Sequence, residues 1–489
     1  PYFEFSGTYF EKFEIAGPGF INFFLSPRFY AAVLQDIEAL QDGYGRSDFG
    51  KGKKINVEFV SANPTGPMHM GNARGGALGD CLAAVLDAAG YQVSREFYIN
   101  DAGNQIDKFA LSLDIRYQQI FKGEEAVPMP EDCYQGADIL ERAQEFADLY
   151  GDSCLEKSQE ERQKALVDFA LPKNIAKMQS DLKKYRIEYD TWFHESVLHN
   201  DGEIQDTLKI LTEKGMTYEL DGALWYKATD FGAEKDEVLV RKNGNPTYFA
   251  ADIAYHRNKF QRGFDRCIDI WGADHHGHVA RMKGAMNAVG LDGSKLDVVL
   301  MQLVKLVRNG EIVRMSKRTG KAIQLADLLD EVPVDAARFL FNMREANSQM
   351  EFDLDLAVQQ DAQNPVYYVQ YAHARICSIL KALEKDGVVK RACSEEELLL
   401  LVQPEELSLI RHLAAYTGEV VSAAKDYDPA RITRYVIDLA NLFHKFYNAC
   451  RVKGEEDSLC QARLTLCVAV KTVIHNVLTM FKISAPESM

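Results

Sequence analysis

The stretch that decides the fold reads VEFVSANPTGPMHMGNARGGALGD and covers residues 57–80. Apolar residues alternate with polar ones over 55–59, which predicts a short β-strand. A turn broken by proline and glycine follows, and small residues then open a helix with an apolar face. Free backbone N–H groups at a helix start attract anions, and glycine lets a phosphate approach closely. The stretch therefore predicts an anion site beside His69, unless it is an ordinary strand-to-helix turn with a chance histidine.

A second stretch, far along the chain, has the charge of a phosphate site. Residues 303–325 read LVKLVRNGEIVRMSKRTGKAIQL, and six basic residues lie between positions 305 and 321 against one acid, Glu311. Charged runs are usually a solvated surface. A basic run can also hold a polyphosphate when it lies on a glycine-flanked loop beside a buried element.

The residues before that loop predict such a buried element. Asn309-Gly310 is typical of a tight turn, and apolar strands are predicted on either side of it, over 301–307 and 311–315. The Ser-Lys-Arg-Thr-Gly run that follows is polar and cationic. The sequence therefore predicts a hairpin that carries a basic loop, with an ordinary surface lysine as the alternative for Lys317.

Together, the two stretches resemble the signature motifs of class I aminoacyl-tRNA synthetases. The segment His69-Met-Gly-Asn72 resembles the HIGH motif, and Arg314-Met-Ser-Lys-Arg318 resembles the KMSKS motif. The similarity is greatest to arginyl-tRNA synthetases of bacterial type. Besides the basic loop, it is carried in the same order by residues 57–80, 100–105, 248–252, 271–278 and 335–338.

Each motif departs from the family pattern, and the final serine of KMSKS is Thr319 here, displaced by Arg318. Asn72 stands where the HIGH motif has its second histidine, so this position has a hydrogen-bond donor and acceptor but no titrating imidazole. Arg314 stands where the KMSKS motif has its first lysine and keeps the positive charge. Phosphate binding at the two motifs is compatible with these changes.

The resemblance implies an α/β fold: a Rossmann-like class I synthetase catalytic domain with a helical insertion and a C-terminal all-α bundle. A length of 489 residues agrees with roughly three domains. Because the chain begins without methionine, we expect part of an N-terminal domain to be missing. The predicted regions are a remnant of the N-terminal additional domain (1–45), the first catalytic half (46–122), an acidic, mostly helical insertion (123–240), the second catalytic half with the KMSKS-like loop (241–334) and a helical anticodon-binding domain (335–489).

The net charge of −16 does not exclude a nucleic-acid partner, because the acidic excess is local. Residues 123–240 hold 13 Lys and Arg against 27 Asp and Glu, whereas residues 365–489 hold 15 of each sign. Nine cysteines without a Cys-x-x-Cys pair indicate neither a disulfide framework nor a zinc ribbon, and they fit a reducing cytosol. No apolar run approaching membrane-spanning length and no signal peptide are recognised, so we expect a cytoplasmic protein without a membrane partner.

The resemblance implies ATP-dependent activation of L-arginine to arginyl-adenylate and its transfer to tRNA(Arg). The implied partners are tRNA(Arg), L-arginine and ATP, with Mg²⁺ accompanying the nucleotide, and we expect a monomer. Activation places charge on phosphates, which cations and hydrogen-bond donors stabilise. The implied catalytic residues are His69, Arg314, Ser316 and Lys317. The implied ATP-binding residues are His69, Gly71, Asn72, Met315 and Lys317.

Arginine recognition requires a carboxylate for the guanidinium. Tyr248 and Asp252 lie four apart on a predicted helix and so share a face. A carboxylate can bind a guanidinium with two hydrogen bonds, and a phenol can pack against it. The resemblance implies that these two residues hold the arginine side chain, although Asp252 could also form a helix salt bridge and Glu58 could be a structural partner. The same site is implied to include Glu58, Ser61, Asn63, Asn72 and His275.

Other interpretations remain open at this stage. Asp274-His-His-Gly-His278 has the composition of a zinc site, but no second ligand cluster is evident, so we predict no protein-bound metal. Another class I synthetase is an alternative, although a large editing domain has no room and the zinc ligands of cysteinyl enzymes are not found. A catalytically impaired tRNA-binding paralogue is a second alternative, because Asn72 departs from the HIGH motif.

Overall fold

The computed structural model describes residues 4–314 and 323–489. It begins with strands β1 (Phe10–Ala16) and β2 (Phe20–Leu25), which form an antiparallel hairpin, and helix α1 (Pro27–Leu40). Ser26 caps α1 by accepting a hydrogen bond from the Arg28 N–H. Helix α1 ends at Leu40, because Gln41 adopts a positive φ of 45°.

The chain then builds a five-stranded parallel sheet. The elements of this part of the chain are, in order, β3 (Lys54–Glu58), α2 (Gly71–Ala88), β4 (Gln92–Ile99), α3 (Asn104–Lys122), α4 (Ala137–Tyr150), α5 (Gln159–Lys184), β5 (Thr191–His194), α6 (Glu195–Asn200), α7 (Glu203–Glu213), β6 (Thr217–Leu220), β7 (Ala223–Tyr226), β8 (Glu237–Val240), α8 (Tyr248–Gln261), β9 (Arg266–Gly272), α9 (His276–Val289) and β10 (Leu296–Met301). Strands β6, β7 and β8 form a small antiparallel sheet of their own. In the five-stranded sheet, β3, β4, β5, β9 and β10 take part. The strand order is β10-β9-β3-β4-β5, and each neighbouring pair is parallel. Strand order therefore reverses between β3 and β9, the kind of switch point where α/β sheets bind ligands.

Helix α2 packs against β3 at very short range because of its small residues. A Cβ on Gly79 would lie 2.1 Å from Cγ of Phe59, and one on Gly76 would lie 2.8 Å from Cδ1 of Ile187. Any larger residue would push the helix away from the sheet. The glycines of the 57–80 stretch thus fix the depth at which α2 sits.

The region predicted as an insertion, 123–240, is divided among different hydrophobic cores in the structure. Helices α3, α4 and α5 share a separate apolar core that includes Phe109, Phe146 and Leu166. Strand β5 pairs with β4 in the main sheet, and α6, α7 and β6–β8 contribute to the core beside α8 and α9. A strand as short as β5 shows no periodicity from which its place in the sheet could have been predicted.

A second small sheet follows the main one. Its elements are β11 (Val304–Arg308), β12 (Glu311–Val313), α10 (Leu325–Glu331), α11 (Val334–Phe341), β13 (Met350–Asp353) and α12 (Leu354–Val358). Strands β11 and β12 form the predicted hairpin around Asn309 and Gly310, both with positive φ. The first hairpin strand is shorter than predicted because Met301 belongs to β10. Strand β13 pairs in parallel with β11, so the prediction of helix throughout from 335 is wrong there.

The remaining chain is a helical bundle of α13 (Pro365–Lys385), α14 (Glu395–Leu398), α15 (Pro404–Ala414), α16 (Tyr416–Asp426), α17 (Ala430–Ala449) and α18 (Asp457–Met480). The predicted apolar face of α17, from Ile432 to Phe446, is buried. Within the described residues, α18 is long and apolar enough to cross a membrane by length and composition, which contradicts the expectation that no such run exists. Because 72% of its apolar window is buried in the protein, α18 is the core helix of the bundle.

Candidate active site

A pocket of about 430 Å³ opens at the carboxyl ends of β3, β4 and β9, at the switch point of the sheet. Six of the seven residues assigned to arginine from the sequence line it. They are Glu58, Ser61, Asn63, Tyr248, Asp252 and His275. The seventh, Asn72, lies at the beginning of α2 and is not part of this lining.

The backbone that leaves β3 is strained where it forms the pocket wall. Val60 and Ser61 have φ values of 72° and 42°, an unusual conformation for any residue with a side chain and especially for valine. The Ser61 hydroxyl donates to Oε1 of Glu58 at 2.8 Å and accepts from the Tyr98 N–H at 3.1 Å. These bonds tie the strained turn to two strands, so the pocket wall is held rigidly.

Glu58 is part of a buried ionic network beneath the pocket. Nζ of Lys259, which is completely buried, contacts Oε2 of Glu58 and lies 2.7 Å from Oδ1 of Asp269. Burial raises the pKa of Glu58, and Lys259 offsets that shift only in part. Glu58 is therefore a structural partner of Lys259 as well as a pocket residue, which supports the alternative interpretation left open for it.

His256 completes this network with a second positive charge. Its Nε2 lies 2.6 Å from Oδ2 of Asp269, and its Nδ1 lies 2.8 Å from the carbonyl oxygen of Asp252. Both nitrogens face acceptors, so both carry protons. Burial lowers the pKa of His256, but Asp269 outweighs burial and raises it overall; burial likewise raises the pKa of Asp269, but Lys259 and His256 lower it to about 2. Two carboxylates and two cations thus balance one another.

Asp252 remains available to a ligand above the balanced network. Its carboxylate is 38% exposed, and its Oδ2 lies 3.2 Å from Nε2 of His278. Tyr248 lies one turn earlier on α8 and is 41% exposed. The Thr247 side chain caps the helix by accepting from the Ala250 N–H, which fixes the start of α8 and hence this pair. The prediction that Tyr248 and Asp252 face the same space is confirmed.

The segment around His69 forms a compact helix start. The Gly71 N–H donates to Nδ1 of His69 at 3.2 Å, so the ring proton of a neutral His69 lies on Nε2. The Asn72 Oδ1 accepts from the His69 N–H at 3.0 Å. Asn72 therefore shapes the turn that carries His69. A Cβ on Gly71 would meet only Nδ1 of His69, at an ordinary 3.6 Å, so glycine is not required there by packing within the protein.

The structure places residues 323–325, which follow the basic run in sequence, beside the segment that carries His69. His69 forms an antiparallel bridge with Gln324, the Met70 N–H donates to the Ile323 carbonyl at 3.0 Å, and the Leu325 N–H donates to the Met68 carbonyl at 2.9 Å. The residues that follow the basic loop therefore lie directly beside His69. Arg314 is exposed at the end of the described stretch before that loop. The predicted residues Met315, Ser316 and Lys317 lie outside the described residues.

Several further pocket residues were not assigned from the sequence, and three of them have polar side-chain atoms and lie in segments that carried the resemblance. Asn100, Trp271 and His278 also line the pocket. Each lies in a segment that carried the family resemblance, and that was the available signal. Their roles depend on how β4, β9 and α8 meet, which no local pattern indicates.

Comparison with known proteins agrees with this geometry. The model for the catalytic domain of class I tRNA synthetases (R) matches residues 35–379, well over half of the chain. The chain belongs to the arginyl-tRNA synthetases. An arginine–tRNA ligase of Caldanaerobacter subterraneus subsp. tengcongensis is 60% identical over 99% of this chain and 86% of its own length. One of Ruminiclostridium cellulolyticum is 57% identical over the same shares.

Solved structures agree with the fold of this arginyl-tRNA synthetase. A putative arginyl-tRNA synthetase from Campylobacter jejuni has a TM-score of 0.85 at 32% identity and covers 95% of this chain and 100% of its own. Thermus thermophilus arginyl-tRNA synthetase, at 22% identity, shares the fold with a TM-score of 0.77 over 98% of this chain and 89% of its own. The predicted α/β class I fold with a C-terminal helical bundle is confirmed.

The end of the catalytic region of this synthetase lies later than predicted. The model for the DALR anticodon binding domain matches residues 369–489, and the catalytic model extends to residue 379. The predicted boundary at 335 is too early because β13, at 350–353, pairs with β11 of the catalytic region. Anticodon binding is thus assigned to the bundle that begins with α13.

Replacing Lys259 with methionine should destabilise the synthetase strongly. The variant leaves Glu58 and Asp269 buried without their shared cation, and breaking a buried ion pair commonly costs about 3–5 kcal/mol. We expect the melting temperature of the catalytic region to fall by roughly 6–20 °C in a thermal scan. Lys209→Met is the matched control, since the Lys209–Glu213 pair lies on the surface of α7. Equal melting temperatures for the two variants would contradict the structural role of Lys259.

Proposed function

We propose that this synthetase binds L-arginine in the pocket at the switch point, with the guanidinium on the carboxylate of Asp252 and against the ring of Tyr248. The observation that carries the proposal is charge balance. Lys259 and His256 compensate Glu58 and Asp269, whereas Asp252 is partly exposed and has no lysine or arginine partner among the described residues. A guanidinium supplies the cation that Asp252 can accept.

The remaining pocket residues are proposed to hold the amino-acid head group. Ser61 and Asn63 follow β3 and His275 follows β9, so they provide hydroxyl, amide and imidazole groups near the strand ends. Asn72 is proposed to act on the nucleotide side instead, because it shapes the turn at His69 and does not line the pocket. Glu58 is proposed to shape the floor through Lys259 while it contributes negative potential to the site.

ATP is proposed to lie beside the start of α2. His69 offers an Nε2 proton, Gly71 opens the helix, and residues 323–325 lie next to them. In the activation step an oxygen of the arginine carboxylate forms a bond to the α-phosphorus of ATP, and pyrophosphate leaves with the electron pair of the broken P–O bond. We propose that His69, Arg314, Ser316 and Lys317, with Met315 beside the nucleotide, stabilise the phosphate charge that develops.

Transfer completes the reaction on tRNA(Arg). The terminal ribose hydroxyl of the tRNA attacks the carbonyl carbon of arginyl-adenylate, loses its proton, and AMP leaves with the electron pair of the mixed-anhydride bond. The α13–α18 bundle is proposed to hold the anticodon end while the pocket region receives the acceptor end. We also propose that the enzyme is monomeric and cytoplasmic.

Mg²⁺ is proposed to arrive with the phosphates of ATP rather than in a protein cage. In residues 4–314 and 323–489 no group of three or more His, Cys, Asp and Glu side chains is placed to hold a metal ion. This holds for the Asp274–His278 segment as well. Magnesium commonly binds through substrate phosphates with few protein ligands. No step above depends on a protein-bound ion.

Arginine activation should require tRNA, as the resemblance to arginyl enzymes implies. ATP–pyrophosphate exchange should therefore appear with arginine and tRNA(Arg) together and be negligible when either is left out. The same assay run across the other amino acids tests substrate choice. Full exchange without tRNA would contradict the requirement, and exchange with another amino acid would favour a different class I synthetase. No exchange under any condition would favour a catalytically impaired tRNA-binding paralogue.

A further inference from the structure

Residues 335–338 do not line the arginine pocket, but Arg338, the last of them, is one of the most deeply buried residues of the protein. Arg338 is completely buried; its Nη2 contacts Oδ2 of Asp80, its Nε donates to the Phe481 carbonyl at 2.7 Å, and its Nη1 donates to the Tyr185 carbonyl at 3.0 Å. One side chain therefore joins helix α2, the chain that follows α5, and the segment that follows α18. These parts come from the catalytic region and the bundle.

Asp80 is the centre of this junction and accepts from three cations. Besides Arg338, Nζ of Lys482 lies 2.9 Å from its Oδ1 and Nε of Arg95 lies 3.0 Å from the same oxygen. Burial raises the pKa of Asp80, but Arg338, Lys482 and Arg95 outweigh burial and lower it. Of the three, only Lys482 comes from the residues matched by the anticodon-binding model. It is also the most exposed, at 34%.

The backbone at Lys482 is held in a left-handed conformation. Lys482 and Arg186 both have left-handed φ values, 54° and 60°. Nζ of Lys482 donates to the Arg186 carbonyl at 3.1 Å, and Nη1 of Arg186 donates to the Lys482 carbonyl at 2.6 Å. Arg186 also binds Asp335, the first residue of the 335–338 segment. Both residues lie one position past a helix C-cap, a common place for the left-handed conformation, and their reciprocal hydrogen bonds hold the ends of α5 and α18 together.

A continuous path leads from this junction to the start of α2. The Tyr185 carbonyl accepts from Arg338, and the Tyr185 hydroxyl donates to the Ala73 carbonyl at 3.0 Å. Ala73 lies in the first turn of α2, two residues after Gly71. The same helix carries Asp80 two turns later. A displacement of Lys482 would therefore act on α2 at two points, and α2 begins at the proposed ATP site.

We propose that Lys482 and Asp80 position helix α2 relative to the anticodon-binding bundle and carry part of the coupling by which bound tRNA activates the catalytic site. The proposal rests on the proposed function. Lys482 is a positioning residue here, since it touches neither arginine nor ATP. Coupling between two binding sites typically changes affinity or rate by about 5- to 150-fold.

Lys482→Met tests the proposal in the full chain. With tRNA(Arg) present, the kcat for arginine-dependent pyrophosphate exchange, normalised to active sites, should fall by about 5- to 150-fold. Calorimetric Kd values for arginine and ATP without tRNA should stay within about twofold of the wild type, and Lys482→Arg should restore most of the rate. In a double-mutant cycle, Asp80→Asn should lower this kcat much less when it is added to Lys482→Met than when it is made in the wild type. If Asp80→Asn does not fold, the comparison of Lys482→Met with Lys482→Arg tests the proposal by itself.

Lys453→Met is the matched control, because the Lys453–Asp386 ion pair lies on the surface of the same bundle. It should keep the wild-type rate. An unchanged kcat in Lys482→Met would overturn the coupling. A higher KM for tRNA at unchanged kcat would overturn it too, because Lys482 would then be a tRNA contact. An active wild type with an equally active Lys482→Met variant overturns this proposal alone. A wild type that does not charge tRNA(Arg) with arginine overturns the proposed function as well.

Discussion

Asp252→Asn is expected to abolish most of the affinity for arginine while ATP binding stays near normal. The substitution keeps the volume of the side chain and removes the carboxylate that faces the pocket. A guanidinium that loses its carboxylate partner in a fully buried pair typically costs about 3–5 kcal/mol, and this is an upper bound here because Asp252 is 38% exposed. ATP is expected to be affected little because His69, its proposed contact among the described residues, lies outside the lining of this pocket. Calorimetric titration of each ligand into the variant measures both effects.

Two variants make the Asp252 result specific. Asp274→Asn removes a nearby exposed carboxylate that does not line the pocket, so arginine should bind as it does to the wild type. Tyr248→Phe keeps the ring and removes only the hydroxyl, so it should weaken arginine less than Asp252→Asn does. Arginine affinity that survives intact in Asp252→Asn would make Asp252 a structural partner of His278. The guanidinium would then have to be recognised elsewhere, with Glu58 the next candidate.

Lys317→Ala is expected to slow adenylate formation by on the order of 10²-fold or more, with little change in arginine affinity. Its ammonium group is proposed to matter most when charge develops on the departing pyrophosphate. Residues 323–325, which follow the basic loop in sequence, lie beside His69 at the proposed ATP site. Single-turnover formation of arginyl-adenylate in the presence of tRNA measures the step directly.

The control for Lys317 lies on the neighbouring strand. Lys305 is exposed on β11 and belongs to the same basic run, so Lys305→Ala removes an equal charge without touching the proposed loop. If the effect of Lys317 comes from a local contact with the phosphates and not from net charge, Lys305→Ala should leave the single-turnover rate within about twofold of the wild type. A Lys317→Ala variant as fast as the Lys305 control would remove Lys317 from the mechanism.

Several parts of the site could be predicted because they depend only on residues that are close together in the sequence. The strand, the proline- and glycine-broken turn and the small residues of 57–80 predict a strand-to-helix connection, and Tyr248 and Asp252 share a face because helix geometry places residues four apart together. The Asn309-Gly310 turn predicts its hairpin for the same kind of reason. Roles proposed for His69 and Lys317 came from resemblance to a family, and they stay predictions.

Other features were decided only by the tertiary structure. The buried balance of Glu58, Lys259, Asp269 and His256 joins three elements, and nothing near Glu58 in sequence indicates that a lysine about 200 positions later will neutralise it. Strand β5 was absorbed into a predicted insertion because four residues carry no usable periodicity.

Local sequence determined the elements of this protein and much of its chemistry, because helices, turns and motif spacing depend on near neighbours. Which charges remain open to a ligand depended on long-range packing. Asp252 is available to a ligand because Lys259 is bound to Glu58 and, among the described residues, the Asp252 carboxylate pairs only with His278. Asp80 is a junction because the chain after α18 returns to α2. Electrostatic partners are set by distance in space, and only the folded chain brings such groups within a few ångströms of each other.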